Sequence, residues 1–170
     1  YNPTAMVGLE SQLTIGERNA EADLFAVRNF AIQQWEWLPV VNWTVNQQWR
    51  LSGRFALRNK QNTLATELNG GNLERANIRE AGAEVNFNAL GASSIRTTFS
   101  LVWNDFTGNA NSPAGFEMLQ GLFPGRNQLW SVGLFRKLTN NLQLNLTYEG
   151  RASETARTVH TGRVQARLNF

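Results

Sequence analysis

From Asn141 to the end of the chain, apolar and polar residues change places at every step. Leu142, Leu144, Leu146 and Tyr148 alternate with Gln143, Asn145, Thr147 and Glu149. After the polar stretch Gly150–Arg157, Val164, Ala166, Leu168 and Phe170 alternate with Arg163, Gln165, Arg167 and Asn169. A period of two puts one apolar and one polar face on each segment, so both predict strands.

The same rhythm predicts six earlier strands. Ala5–Gly16 sets Val7, Leu9, Leu13 and Ile15 against Glu10, Gln12 and Thr14. In Phe25–Leu38, Phe30 and Ile32 share one parity and Trp35 and Trp37 the other, which predicts a bulge near Gln33–Gln34. Asn42–Arg58 sets Trp43, Val45, Trp49, Leu51, Phe55 and Leu57 against Thr44, Asn46, Gln48, Arg50, Ser52 and Arg54. Ala81–Leu90, Ser94–Phe106 and Asn127–Leu138 complete the set, the last of them the loosest. Short connections, Leu38–Val41, Leu90–Ser93 and Leu138–Asn141, alternate with long polar ones, Gly16–Leu24, Asn59–Arg79, Thr107–Arg126 and Gly150–Arg157. The expected fold is all-β: an antiparallel transmembrane β-barrel of about eight strands in an up-and-down meander, over residues 1–170 as a single domain. Short turns on one side and long loops on the other are the asymmetry of such barrels.

Composition narrows the choice. The chain has 170 residues and no Cys, which removes disulfides and thiolate metal sites. The mean hydropathy of −0.36 leaves no apolar run near the ~20 residues of a membrane helix, but a barrel needs only alternate residues to be apolar. The chain starts at Tyr1 with no signal peptide, so a removed leader or a piece of a longer protein is expected. Net charge is +3, yet the only lysines are Lys60 and Lys137. Arg, Asn and Gln suit an enclosed polar surface whose planar groups satisfy one another. The arginines form no run or aromatic-flanked cluster, which argues against nucleic acid as a partner.

A soluble barrel of lipocalin type would show the same alternation with its apolar face inward. Against it, an eight-stranded interior barely holds its side chains, and the many large aromatics of the apolar face would overfill it. Trp35, Trp37 and Trp43 are expected around one short turn, with Trp103 and Trp130 near long loops, as interfacial aromatics would be. Outer-membrane lipid is then the first partner.

The polar face offers Glu10, Glu84 and Glu149 with Arg50, Arg54, Arg96, Lys137, Arg163 and Arg167. Pointing into a narrow lumen they must pair, because an isolated charge away from water is costly. A salt-bridge and amide network is therefore expected, with a wider anion-favouring lumen as the alternative. His160 is the only histidine, with Ser153 and Glu154 its nearest sequence partners. A strand-end histidine without a placed nucleophile predicts no catalysis, and no cofactor or metal set is evident. In the Thr107–Arg126 loop, Phe116, Leu119 and Leu122 are expected on one face of a short helical turn. They would fold over the rim or dock another envelope protein.

The terminal Phe170 resembles the last residue of bacterial outer-membrane barrels. The runs Gly115-Phe-Glu-Met-Leu-Gln-Gly-Leu-Phe-Pro-Gly-Arg-Asn-Gln-Leu-Trp130, Asn140–Arg151 and Arg157–Phe170 resemble the carboxy-terminal end of large outer-membrane or cell-surface proteins of Bacteroidota. That resemblance implies an envelope location, Phe170 as a signal to the barrel-assembly machinery, and no catalytic residues. The expected role is a membrane anchor, scaffold or structural subunit in the bacterial outer membrane presenting long outer loops. A pore or translocation component is the alternative.

Overall fold

In the computed structural model of the chain, which describes residues 6–21, 28–64, 73–89 and 92–168, the alternating segments become eight strands. They are β1 (Met6–Ala20), β2 (Phe30–Thr44), β3 (Trp49–Asn62), β4 (Arg75–Ala89), β5 (Ser93–Thr107), β6 (Gly125–Lys137), β7 (Leu142–Ser153) and β8 (Val159–Leu168). One short helix, α1 (Pro113–Leu119), interrupts the β5–β6 connection. Every strand pairs antiparallel with the next, in the order β1 to β8. Among the described residues β1 and β8 each have one strand neighbour, so the sheet is open. The expected ladder between the last strand and the first is absent there. Phe170 lies outside the described residues.

Strand boundaries move in a consistent way. The expected turn at Leu38–Val41 lies inside β2, and the chain turns instead at 45–48. Pro39, within that span, sits opposite Ser11 of β1, while on the β3 side the ladder skips from Trp37↔Leu57 to Val40↔Arg54. A missing N–H removes one rung and inserts no residue. The real turn is held by Asn46, whose Oδ1 accepts from the N–H groups of Gln48 (2.8 Å) and Trp49 (2.9 Å), as short polar side chains do at turns. The long connections are shorter than expected: β1 runs on to Ala20, β3 to Asn62 and β7 to Ser153, and β4 starts at Arg75. Short and long connections still alternate.

No bulge exists near Gln33–Gln34. The β1–β2 register is continuous from Met6↔Thr44 to Ala20↔Phe30. Phe30 and Ile32 therefore lie on the face opposite Trp35 and Trp37, and α1 explains why. The helix folds back onto the inner face of the sheet at the long-loop end. There Met118 packs with Ile32, Ala76, Ile78 and Val102, flanked by Phe30, Phe106, Leu122 and Leu129. All these strand residues point inward, so the inner face is apolar under the helix and polar elsewhere.

Local chemistry sets the helix. Ser112 caps it, its Oγ accepting from Gly115 N at 2.9 Å, with Pro113 in the first turn. Gln120 ends it in the left-handed conformation, φ 55°. Met118 and Leu119 are buried, whereas Phe116 is 64% exposed. The expected shared face thus holds for Leu119 and Leu122 only. Met118→Ala is expected to cost ~2–5 kcal/mol of docking, seen as faster proteolysis within the β5–β6 connection while the strands stay protected. An unchanged cutting rate would mean that the helix is not held by this core.

Candidate functional site: two faces of one sheet

Because side chains alternate across a strand, the ladder register assigns every residue to a face. The outer face carries all six tryptophans: Trp35, Trp37, Trp43, Trp49, Trp103 and Trp130. Around them stand Leu9, Leu13, Leu51, Phe55, Val85, Phe87, Phe99, Leu101, Leu134, Leu144 and Leu146. Five of the tryptophans are 37–44% exposed, so each ring packs on its neighbours and leaves its rim to the surroundings.

The tryptophans fall in two rows. Trp43 and Trp49 flank the 45–48 turn, and Trp49 meets Phe87 with ring centroids 4.6 Å apart. Trp35, Trp103 and Trp130 stand toward the long-loop end. The expected crowding of Trp35, Trp37 and Trp43 about one turn is corrected by this placement, since that turn does not exist. The eight steps from Trp35 to Trp43 span roughly 26 Å of strand. At a tilt of ~40° that is about 20 Å of thickness, to which the terminal rings add. Beyond the upper row the outer face turns polar, with Gln33, Asn59, Gln61, Asn77, Arg79, Asp105 and Gln128.

One outer-face cluster depends on a glycine. Trp130 lies opposite Gly150, and a Cβ at Gly150 would overlap the indole ring. Beside it His160 Nδ1 and the Tyr148 hydroxyl are 2.8 Å apart, and their rings stack. His160 faces outward in this aromatic group. Ser153 Oγ accepts from Ala156 N, and Glu154 pairs with Arg126, so neither is placed beside it as a catalytic partner. Gly150→Val is expected to cost ~1–3 kcal/mol by displacing Trp130, read as a lower urea midpoint. Gly162→Val is the control, because nothing lies within 4 Å of a Cβ there; equal effects would show that the ring does not need the gap.

The inner face is a charged network. Glu80 accepts from Arg54 Nε (3.0 Å) and Nη2 (2.9 Å) on one oxygen and from Arg58 Nη1 (2.8 Å) on the other. Arg58 Nε also donates to Glu36 (2.6 Å), and Arg54 Nη2 to Ser100 Oγ (2.8 Å). Gly82 makes room for the Arg54 fork, since a Cβ there would stand 3.0 Å from Arg54 Nε and Ser100 Oγ. The chain Glu36–Arg58–Glu80–Arg54–Ser100 stitches β2 to β5. A second pair, Arg96 Nη2 with Glu84 (2.8 Å), lies toward the short-turn end.

Of the residues expected in a lumen network, Arg54, Arg96 and Glu84 are ion-paired on this face. Glu10 accepts from Asn42 at 3.2 Å. Among the described residues Arg50, Glu149, Arg163 and Arg167 face inward and make no ion pair. Sequence reasoning missed Glu36, Arg58 and Glu80. The expected loop Asn59–Arg79 and the expected strand from Ala81 leave Glu80 between them, although Ala76 and Ile78 already alternate with Asn77 and Arg79.

The connection carrying α1 is tied down by polar contacts. Arg18 of β1 pairs with Glu117, Lys60 Nζ donates to Met118 O at 3.0 Å, and Asn104 Nδ2 to Phe123 O at 3.0 Å. Glu74, fully buried, accepts from Asn62 Nδ2 and Ser112 Oγ. Beside the helix a cavity of about 580 Å³ opens on the inner face, lined by residues from β3 through β8, among them Arg54, Glu80, Glu149 and Arg151. The sheet therefore curls around its polar face. Among the described residues no group of three or more His, Cys, Asp or Glu could hold a metal ion, and no helix is long and apolar enough to cross a membrane. Set against known proteins, the chain matches no family model, no curated protein and no solved structure.

Proposed function

We propose that the chain forms the wall of a transmembrane β-barrel in a bacterial outer membrane, acting as an anchor or scaffold that presents its long connections outside the cell. One observation carries this reading: a curled sheet with an ion-paired network inside and an apolar belt outside, bordered by tryptophans in two rows. A soluble protein rarely exposes so continuous an apolar surface. Outer-membrane barrels have an apolar band ~25 Å tall between aromatic girdles, and the belt estimated from β2 is of that order. By resemblance, Phe170 serves as the signal to the assembly machinery, so its removal lowers insertion more than stability.

Spin labels test the assignment. At Leu51, Phe87, Leu101 and Leu144 they are expected to report lipid, and at Asn86, Ser100 and Asn145 water. Water at the first four sites sinks the membrane reading. The inner cavity favours a second reading, a pore with an Arg-rich lumen. The docked helix argues against it, because α1 fills the lumen at the long-loop end. A steady, anion-selective conductance in planar bilayers would reverse that preference.

A further inference from the structure

The helix that fills the inner face also measures the barrel. In a ring of strands ~4.8 Å apart and tilted ~40°, the backbone radius is about 8 Å for eight strands and about 12 Å for twelve. Sheets packed face to face stand ~10 Å apart, so each wall takes about 5 Å for its own side chains. Eight strands then leave a channel about 6 Å across, ten about 10 Å and twelve about 14 Å. An α-helix with its side chains is ~10–12 Å wide. Yet α1 lies inside the curl, with Met118 against Ile32, Ile78 and Val102, Glu117 paired to β1 and its carbonyl end held from β3. Closing β1 directly on β8 would expel it.

The two free edges agree. Val7, Leu9, Leu13 and Ile15 of β1 are 63–78% exposed, and Val164 of β8 is 70% exposed. In lipid, unpaired backbone groups cost several kcal/mol each, so both edges need neighbours. Because β1 and β8 run in opposite directions, antiparallel closure requires an even number of added strands.

Charge identifies the kind of strand that fits. Facing inward without an ion pair among the described residues are Arg50, Lys60, Lys137, Arg151, Arg163 and Arg167, against Glu10, Glu74 and Glu149. A second copy would place only Glu10 near Arg163 and Arg167 and would repeat the excess. The neighbours must bring carboxylates of their own.

Resting on the membrane reading, we infer that the barrel closes with at least two further transmembrane strands. They are apolar outward and carboxylate-bearing inward, and they come from stretches of the same polypeptide outside Tyr1–Phe170. The start of β1 and the end of β8 both lie at the short-turn end, where one more hairpin enters without crossing any other connection. The completed barrel has ten or more strands, and α1 is a fixed constriction on its wall.

Photo-crosslinking tests this in the protein as its own cell makes it, with p-benzoylphenylalanine at Leu13 (β1) or Val164 (β8). Membranes are washed with carbonate, and linked peptides are sequenced by mass spectrometry. Both positions are expected to link to peptides of the same polypeptide outside Tyr1–Phe170. A link between β1 and β8 within one chain means an eight-stranded barrel and overturns the inference. So do links between two copies, links to another protein, or no link from a carbonate-resistant chain. Release of the chain by carbonate would instead remove the membrane reading, and this inference with it.

Discussion

Replacing Glu80 by Ala is expected to lower stability by ~3–5 kcal/mol, because it leaves two arginines facing each other on the inner wall without their shared carboxylate. The Glu80 side chain is only 10% exposed and accepts three hydrogen bonds from Arg54 and Arg58. Those arginines differ: Arg58 is 19% exposed and keeps Glu36, while Arg54 is 43% exposed and reaches solvent. The loss should therefore sit at the low end of the range. Arg58→Ala should cost less than Glu80→Ala, and Arg54→Ala least. The check is a urea titration of the membrane-embedded protein read by heat-modifiable gel mobility. Three equal, small shifts would mean that lumen water screens the network and that it does not hold β2 to β5 together.

That network explains which parts of the fold could be read in advance. Strand number, order and the alternation of short and long connections follow from period-two patterning, because one face meets a single environment along most of its length. The inner face meets two. Beneath α1 it is lined by Ile32, Ala76, Ile78 and Val102; farther down it carries Arg54, Glu80 and Ser100. Apolar residues thus change parity within β2, between Ile32 and Trp35, and within β4, between Ile78 and Ala81. The first change is what reads as a bulge; the second lies where the expected polar loop Asn59–Arg79 gives way to the expected strand from Ala81. Both arise from a helix whose buried residues, Met118 and Leu119, lie far away in sequence. No local pattern could reveal that cover, and with Asn59–Arg79 read as loop and the next strand begun at Ala81, Glu80 falls between the two.

The misplaced turn at Leu38–Val41 has a different reason. A proline between apolar residues reads as a turn, and only the neighbouring strands show that it leaves one unfilled rung between continuous ladders. Correcting it strengthens the functional reading. With the turn moved to 45–48, Trp43 and Trp49 mark one border of the belt, and Trp35, eight residues back from Trp43, approaches the other.

The centre of that belt is where a charge should hurt most. Leu146 lies midway along the apolar side of β7, opposite Leu134 of β6 and Val164 of β8. With both cross-strand partners apolar, Leu146→Arg is expected to destabilise the inserted protein by ~2–4 kcal/mol, the cost of Arg near a bilayer midplane in such barrels. The same change at Gln128, above the upper tryptophan row, should cost about 0–1 kcal/mol, since the penalty fades toward the interface. At the adjacent inward position, Asn145→Arg puts the charge into the lumen and should also be mild. This depth and parity profile is specific to lipid, because a soluble sheet would tolerate Arg at an exposed outer position wherever it stood. Urea midpoints of the three variants in one bilayer decide the matter. Equal values at Leu146 and Gln128 would show that water, not lipid, meets the outer face.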